Sequence, residues 1–211
     1  MDSLASLIIF LPGILLALTI HEFSHALVAD RLGDPTPRSI GRLTLNPIPH
    51  IDPIGFILLF LIHIGWAKPV PVNPYYFRNP EKDFAKVAFA GPLSNLILAV
   101  FISFILRFLP YSSQNLFIYY FYKLLLSTYM INLILAFFNL IPIPPLDGSK
   151  ILSIFLPFEW KLRYRMLEPY GVLILTSFIV ISSFLGIPII DLLVFLPARL
   201  FSILLIGTSP F

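Results

Sequence analysis

His21-Glu22-Phe23-Ser24-His25 sets two imidazoles four residues apart with a carboxylate between them. On a helix each residue advances about 100°, so His21 and His25 lie about 40° apart on one face and reach a single metal ion. Glu22 projects from nearly the same arc, beside the position the metal leaves open. There it takes a proton from metal-activated water, which zinc makes acidic near neutral pH. The chemistry this group suits is metal-assisted hydrolysis of a peptide bond. By composition the pattern recurs by chance in about one chain of this size in a few hundred. The competing reading is a pair of histidines that hydrogen-bond to neighbouring helices. A buried, unpaired carboxylate in a membrane span costs about several kcal/mol, however, so the cluster implies a compensating ion or partner.

Catalytic zinc usually takes three protein ligands and water. The chain has no cysteine, so the third ligand is His, Asp or Glu. Asp147 is the expected one, with one zinc per chain. It follows Pro144 and Pro145, which break a helix, and precedes Gly148, which permits a tight turn. That arrangement folds a carboxylate back toward the membrane. Without His21 and His25 it would read as an Asp-Gly turn at the membrane surface. His50 sits in a turn-rich loop and is expected to bond to backbone. His63 lies in a short apolar run and reads as a polar side chain facing a wet cavity, or as a gate. Neither is expected to bind metal.

The elements that must position these residues are set by composition. Of 211 residues, 58% are hydrophobic and 12% charged, with a mean hydropathy of +0.91. That excludes an ordinary soluble domain and a disordered chain. The absence of cysteine excludes disulfides, iron–sulfur clusters, thiolate zinc sites and a cysteine nucleophile. A spanning helix needs about 20 mostly apolar residues. Ser3 to Ala29, Val87 to Leu106, Leu124 to Ile141 and Tyr170 to Ile187 meet this requirement, and Ile189 to Ile206 is a fifth span or an interfacial helix. The first segment lacks the basic start of a cleaved signal peptide and is expected to stay in the mature protein. Pro53 to Ala67 and Ile151 to Phe158 are too short to cross and read as re-entrant or interfacial, hinting at a cavity.

The expected fold is an all-α polytopic membrane protein of about 5–6 transmembrane helices, with a re-entrant or β-ribbon segment between the first two full spans. It forms one domain over residues 1–211, with a catalytic core at about 3–155 and extra C-terminal helices at about 170–206. On this topology 11 of the 14 basic residues share one side, which is then cytoplasmic, and the N-terminus lies outside. His21 and His25 lie toward the cytoplasmic end of their span. Lys161, Arg163 and Arg165 read as an anchor at anionic lipid, not a nucleic-acid site. The Pro-, Asn- and Gly-rich segment from Arg42 to Arg78 is a gate, a substrate-docking strand whose Val70 to Val72 forms a ribbon edge, or a rigid connector.

HEFSH in a span, FAGPLSN at Phe89 to Asn95 and NLIPIPPLDG at Asn139 to Gly148 resemble the site-2 protease family of intramembrane zinc metalloproteases. RLTLNPIPHIDPIG and GWAKPVPVNP are similar to its compact subgroup without a PDZ domain. The resemblance implies that His21, His25 and Asp147 bind zinc and that Glu22 is the catalytic general base and acid. It implies a role for Asn139, and less clearly for Asn95, in holding substrate or the developing oxyanion; helix packing is the competing reading for both. It further implies cleavage of single-span membrane proteins within a bilayer, in a multi-pass protein of a prokaryotic cytoplasmic membrane. Two other functions fit the composition. One is a metal-ion transporter, since buried histidines and carboxylates also mark ion paths. The other is a catalytically silent scaffold that binds single-span partners.

Overall fold

The computed structural model describes residues 3–62, 65–109 and 114–211. His63 lies outside them, so its expected gate or cavity role has no counterpart here. Every regular element among the described residues is helical, and no strand forms among them.

Helix α1 (Ser3–Arg31) is apolar along most of its length and ends at a glycine. Gly33 takes φ +107°, its N–H donates to the Asp30 carbonyl, and Asp34 N–H reaches back to the Ala29 carbonyl. This is a Schellman termination, and the left-handed position suits glycine because it has no Cβ to clash. After the short helix α2 (Thr36–Ser39), the chain enters the proline-rich segment that contains α3 (Pro53–Ile62). Asp52 starts α3 by accepting the Gly55 N–H at 2.9 Å.

Helix α4 (Pro80–Phe108) begins several residues before the apolar run. Pro80 opens it, and Glu81 and Asp83 complement the helix dipole in the first turn. Helix α5 (Leu116–Asn139) likewise starts early, because the Asn115 side chain accepts the Phe117 N–H at 2.9 Å. Lys123 therefore lies inside the helix, with its ammonium 4.5 Å from the centre of the Tyr119 ring. The chain continues through α6 (Asp147–Ser153), α7 (Phe158–Arg165), α8 (Gly171–Phe184), a π turn at Asp191–Phe195 and α9 (Leu196–Ile206).

Helices α1, α4 and α5 pack on one another, and α6 packs on α4. Their contact faces are built from small residues. Ala17, Ala26, Ala29, Ala99 and Ala136 are fully buried. A Cβ on Gly13 would stand 2.7 Å from Thr128 Oγ1. In an apolar solvent, helices associate through such close approach, because lipid tails are as apolar as leucine.

Four helical stretches are long and apolar enough to cross a membrane: Phe10–Arg31, Pro80–Phe108, Leu116–Asn139 and Phe158–Ser182. These four, found among the described residues, stand beside the expected count of about 5–6. Beyond Gly186, which turns the chain at φ +66°, helical backbone runs without a break from 189 through the π turn and α9 to 206, over the segment expected as a fifth span or an interfacial helix. The β-ribbon is reduced to one isolated antiparallel bridge between Ile51 and Ala67. Pro47, Pro49, Pro69 and Pro71 lack the N–H that a ladder needs, so pairing does not propagate, and Val70 to Val72 forms no ribbon edge. The basic cluster also has intramolecular partners. Lys161 and Arg165 both bond to Glu81, the latter at 3.2 Å, and the Arg163 guanidinium lies 5.8 Å from the Trp160 ring centre.

Candidate metal centre

His21 and His25 project from α1 one turn apart, with ring centroids 4.6 Å apart and planes at 87°. Both are buried, in a helix face that also carries Ala17, Ala26 and Ala29, so each ring nitrogen must find a partner. His25 Nδ1 lies 2.7 Å from the Val87 carbonyl of α4. A carbonyl only accepts, so this nitrogen carries the proton and Nε2 of the neutral ring is left with its lone pair. His21 Nδ1 lies 2.7 Å from Asn95 Oδ1. The orientation of Asn95 is fixed in turn, since its amide nitrogen donates to the Ala17 carbonyl at 3.0 Å and to Asn132 Oδ1 at 2.8 Å. Asn132 donates to the Thr128 carbonyl at 2.8 Å. The chain of bonds from Thr128 to His21 therefore has one direction, and it leaves Nε2 of His21 as an acceptor as well.

Asp147 meets both. Helix α5 ends at Asn139, and the chain turns through Leu140 to Leu146, including a cis peptide between Pro144 and Pro145. Asp147 opens α6. The role of Gly148 differs from the expected turn permission, for its φ is not positive. A Cβ there would stand 2.2 Å from the Leu140 carbonyl oxygen. Glycine is needed so that α6 can press its first turn onto the end of α5. Gly91 does the same for the histidines, since a Cβ at that position would lie 2.5 Å from His25 Nε2 and 2.6 Å from His21 Cε1.

Asp147 Oδ2 lies 3.1 Å from His21 Nε2 and 3.3 Å from His25 Nε2. These are ion-pair distances, yet this buried oxygen has no hydrogen bond. One potential ligand atom from each of His21, His25 and Asp147 lies within 4.8 Å of the others. Two lone pairs and a carboxylate oxygen converge with no hydrogen fixed between them, a stable arrangement around a cation. Two imidazole nitrogens and one carboxylate oxygen are ligands that zinc accepts, with a position left open. The residues present fit the metal.

Glu22 is 8% exposed and points to the loop above. Its Oε2 accepts the Val70 N–H at 2.9 Å. Arg42, also buried, donates to the Lys68 carbonyl two residues earlier. Burial lowers the Arg42 pKa, and the Glu22 carboxylate acts against that shift. Beside this group is an apolar cavity of about 380 Å³ between α1, α3 and α5, with Leu18, Thr19, Ile51, Phe56, Ile134 and Phe138 in its wall.

The structure thus brings His21, His25 and Asp147 together, with Glu22 next to them in the chain. It does not bring Asn139 to them through any hydrogen bond. The Asn139 amide donates to its own helix at Leu135, 2.9 Å away. Asn95 is at the cluster, but both its donors are committed to protein acceptors, and it holds His21. His50 Nε2 bonds to the Thr44 carbonyl at 2.9 Å, the backbone contact expected of it. Sequence reasoning missed Gly91, Asn132, Arg42 and Val70. A glycine within Ala88 to Pro92, and a lone asparagine in the middle of an apolar span, are signals that could have pointed to the first two.

Membrane-length helices that enclose two histidines and an aspartate of this geometry define a polytopic membrane metalloprotein. The model of Peptidase family M50 matches residues 111–182. The chain is 40% identical over 168 residues to YwhC of Bacillus subtilis, provisionally named a zinc metalloprotease, which covers 76% of this chain and 75% of that protein. MJ0611 of Methanocaldococcus jannaschii, named in the same way, is 39% identical over 110 residues, or 52% of this chain and 53% of the other. Rip2 of Mycolicibacterium smegmatis, also so named, is 28% identical over 179 residues, covering 82% and 67%. No solved structure matches the chain. The chain belongs to peptidase family M50, the site-2 proteases, and is a zinc metalloprotease of membranes.

Proposed function

We propose that the chain is an intramembrane endopeptidase that cuts the transmembrane segments of single-span membrane proteins. The observation that carries this reading is the convergence of His21 Nε2, His25 Nε2 and Asp147 Oδ2, with both histidine tautomers set by α4. These three side chains would hold one zinc ion, which when bound supplies a Lewis acid that polarises oxygen and acidifies water.

The chain's own residues do the rest. Glu22, next in sequence to one ligand and buried, accepts a proton from the attacking water and returns it to the leaving amine. Asn95 and Val87 hold the two rings in place through their Nδ1 protons. The apolar cavity beside Thr19 takes up side chains of a substrate that has partly unwound, since peptide bonds in an intact helix are shielded by their own hydrogen bonds. An oxyanion role for Asn139 requires its amide to release the Leu135 carbonyl. The end of α1 that carries Arg31 faces the cytoplasm, in keeping with the basic residues gathered on that side. Cleavage then occurs nearer that face and releases a cytoplasmic fragment.

The test is zinc content in detergent-purified protein, together with cleavage of a reporter bearing one apolar transmembrane helix. One zinc per chain is expected, lost in Asp147→Ala and in His21→Ala. Glu22→Gln should keep the metal and lose about 10²–10⁴ in turnover. Wild-type protein that binds no zinc when zinc is supplied at neutral pH would sink the proposal. So would cleavage that survives Glu22→Gln undiminished.

A further inference from the structure

The segment Lys68 to Val72 approaches the cluster as a polypeptide, and its bonding is one-sided. Lys68 N–H donates to the His50 carbonyl at 2.9 Å. The Lys68 carbonyl accepts from Arg42. Val70 N–H donates to Glu22 Oε2 at 2.9 Å, and Asn73 N–H to Asp34 Oδ2 at 2.7 Å. Lys68, Val70 and Asn73 each precede a proline, which drives their backbone toward extended conformations. In an extended chain, alternate residues point their N–H groups to opposite edges. Lys68 and Val70 thus share an edge whose donors are both committed inward. Pro69 and Pro71 fall on the other edge and have no N–H to give. An incoming strand finds no donor there, so the segment is poorly made as a pairing edge and well made as a cover.

What it covers matters. A carboxylate that returns a proton to a leaving amine must come within about 2.6–3.2 Å of that nitrogen. The peptide nitrogen of Val70 already holds such a place at Glu22. Arg42 is the fixture beneath it, 5% exposed, with its Nε buried and unpartnered. A buried cation left with an unmet donor is a costly feature in a resting protein, and the carbonyl it holds is the one that registers Val70 on Glu22.

We propose that Lys68 to Val72 is an internal stand-in for substrate: Val70 occupies Glu22 until an incoming polypeptide displaces it, and Arg42 is the positioning residue that keeps it there. The inference rests on reading Glu22 as the proton carrier.

Val70→Pro tests it directly. It removes the N–H in a run already flanked by prolines, while Val70→Ala loses the valine side chain but keeps the N–H and serves as the control. The full chain, loaded with zinc in detergent, is compared in three measurements. Zinc transfer to an added chelator should be about tenfold faster in Val70→Pro than in Val70→Ala, the effect of losing a hydrogen bond to a charged group. Hydrogen–deuterium exchange across residues 67–73 should accelerate in Arg42→Met, which has no donor, and return toward wild type in Arg42→Lys, which can still donate to the Lys68 carbonyl. On the single-helix reporter, Val70→Pro should lower KM more than it alters kcat. The proposal is overturned if Val70→Pro keeps its zinc but cuts more slowly than Val70→Ala, for then Val70 N–H serves catalysis. Unchanged exchange in Arg42→Met overturns it as well. Failure of the protease reading looks different, since the wild type would then bind no zinc. The exchange experiment would still decide whether Arg42 holds the segment.

Discussion

The residues that gather at His21 and the residues laid over Glu22 are both buried and both polar, but their supports differ. His21, Asn95 and Asn132 belong to α1, α4 and α5, and each hydrogen bond among them runs between long helices whose faces are lined by alanine. The cover runs from Arg42 to Asn73, with one isolated β-bridge among its described residues, a ten-residue helix and five prolines. Its α3 leaves Ile54, Ile57 and Leu61 more than half exposed. The first region fixes tautomers and distances; the second leaves Arg42 Nε unmet and holds Glu22 by one backbone amide. A hydrolase within a membrane needs both. The group that binds metal must be preorganised, while the polypeptide over it must give way to another polypeptide.

Substitutions in the two regions should therefore separate metal binding from substrate binding. The largest effect is expected at Gly91→Ala, where the new Cβ would stand 2.5 Å from His25 Nε2. Zinc affinity should fall by about 100-fold or more, because the obstacle is the ligand ring itself. A strain of about 1–3 kcal/mol should also lower the melting temperature. Zinc titration and thermal unfolding read the two separately, and a protein that binds zinc normally would show that the helices are not rigid here.

Asn95→Ala should come next, weakening zinc by about 10–100-fold as His21 loses the acceptor that sets its tautomer. Asn132→Ala, one bond further out, should weaken it less. Reversal of that order in parallel titrations would break the directional chain from Thr128 to His21.

The smallest effect belongs to the cover. Phe56→Ala removes an apolar wall of the 380 Å³ cavity. It should leave zinc untouched and raise KM for a transmembrane reporter by about fourfold, the worth of roughly one buried methylene. A loss of zinc in this variant would mean that the two regions are one.

His21, Glu22, His25 and Asp147 were legible in the chain because their chemistry is local: a four-residue spacing on a helix, and a carboxylate delivered by prolines at the end of a span. The membrane class was legible from hydropathy, since no other solvent tolerates so many apolar residues in runs of that length. The limits of the helices were not, because they depend on where caps, prolines and glycines start and end each one. Asn115 and Pro80 extend α5 and α4 beyond their apolar runs, and Gly186 turns the chain between α8 and the helical tail.

The sequence by itself determined which residues could do chemistry and that they lie in lipid, because residue type and helical period carry that information. Only the tertiary structure decided that Asn95 holds a ring instead of facing substrate, that Gly91 is the space the histidines occupy, and that Val70 sits on Glu22. Each of those facts is a distance between atoms on different helices or loops, set by how closely α1, α4 and α5 approach, and no spacing along one chain records it.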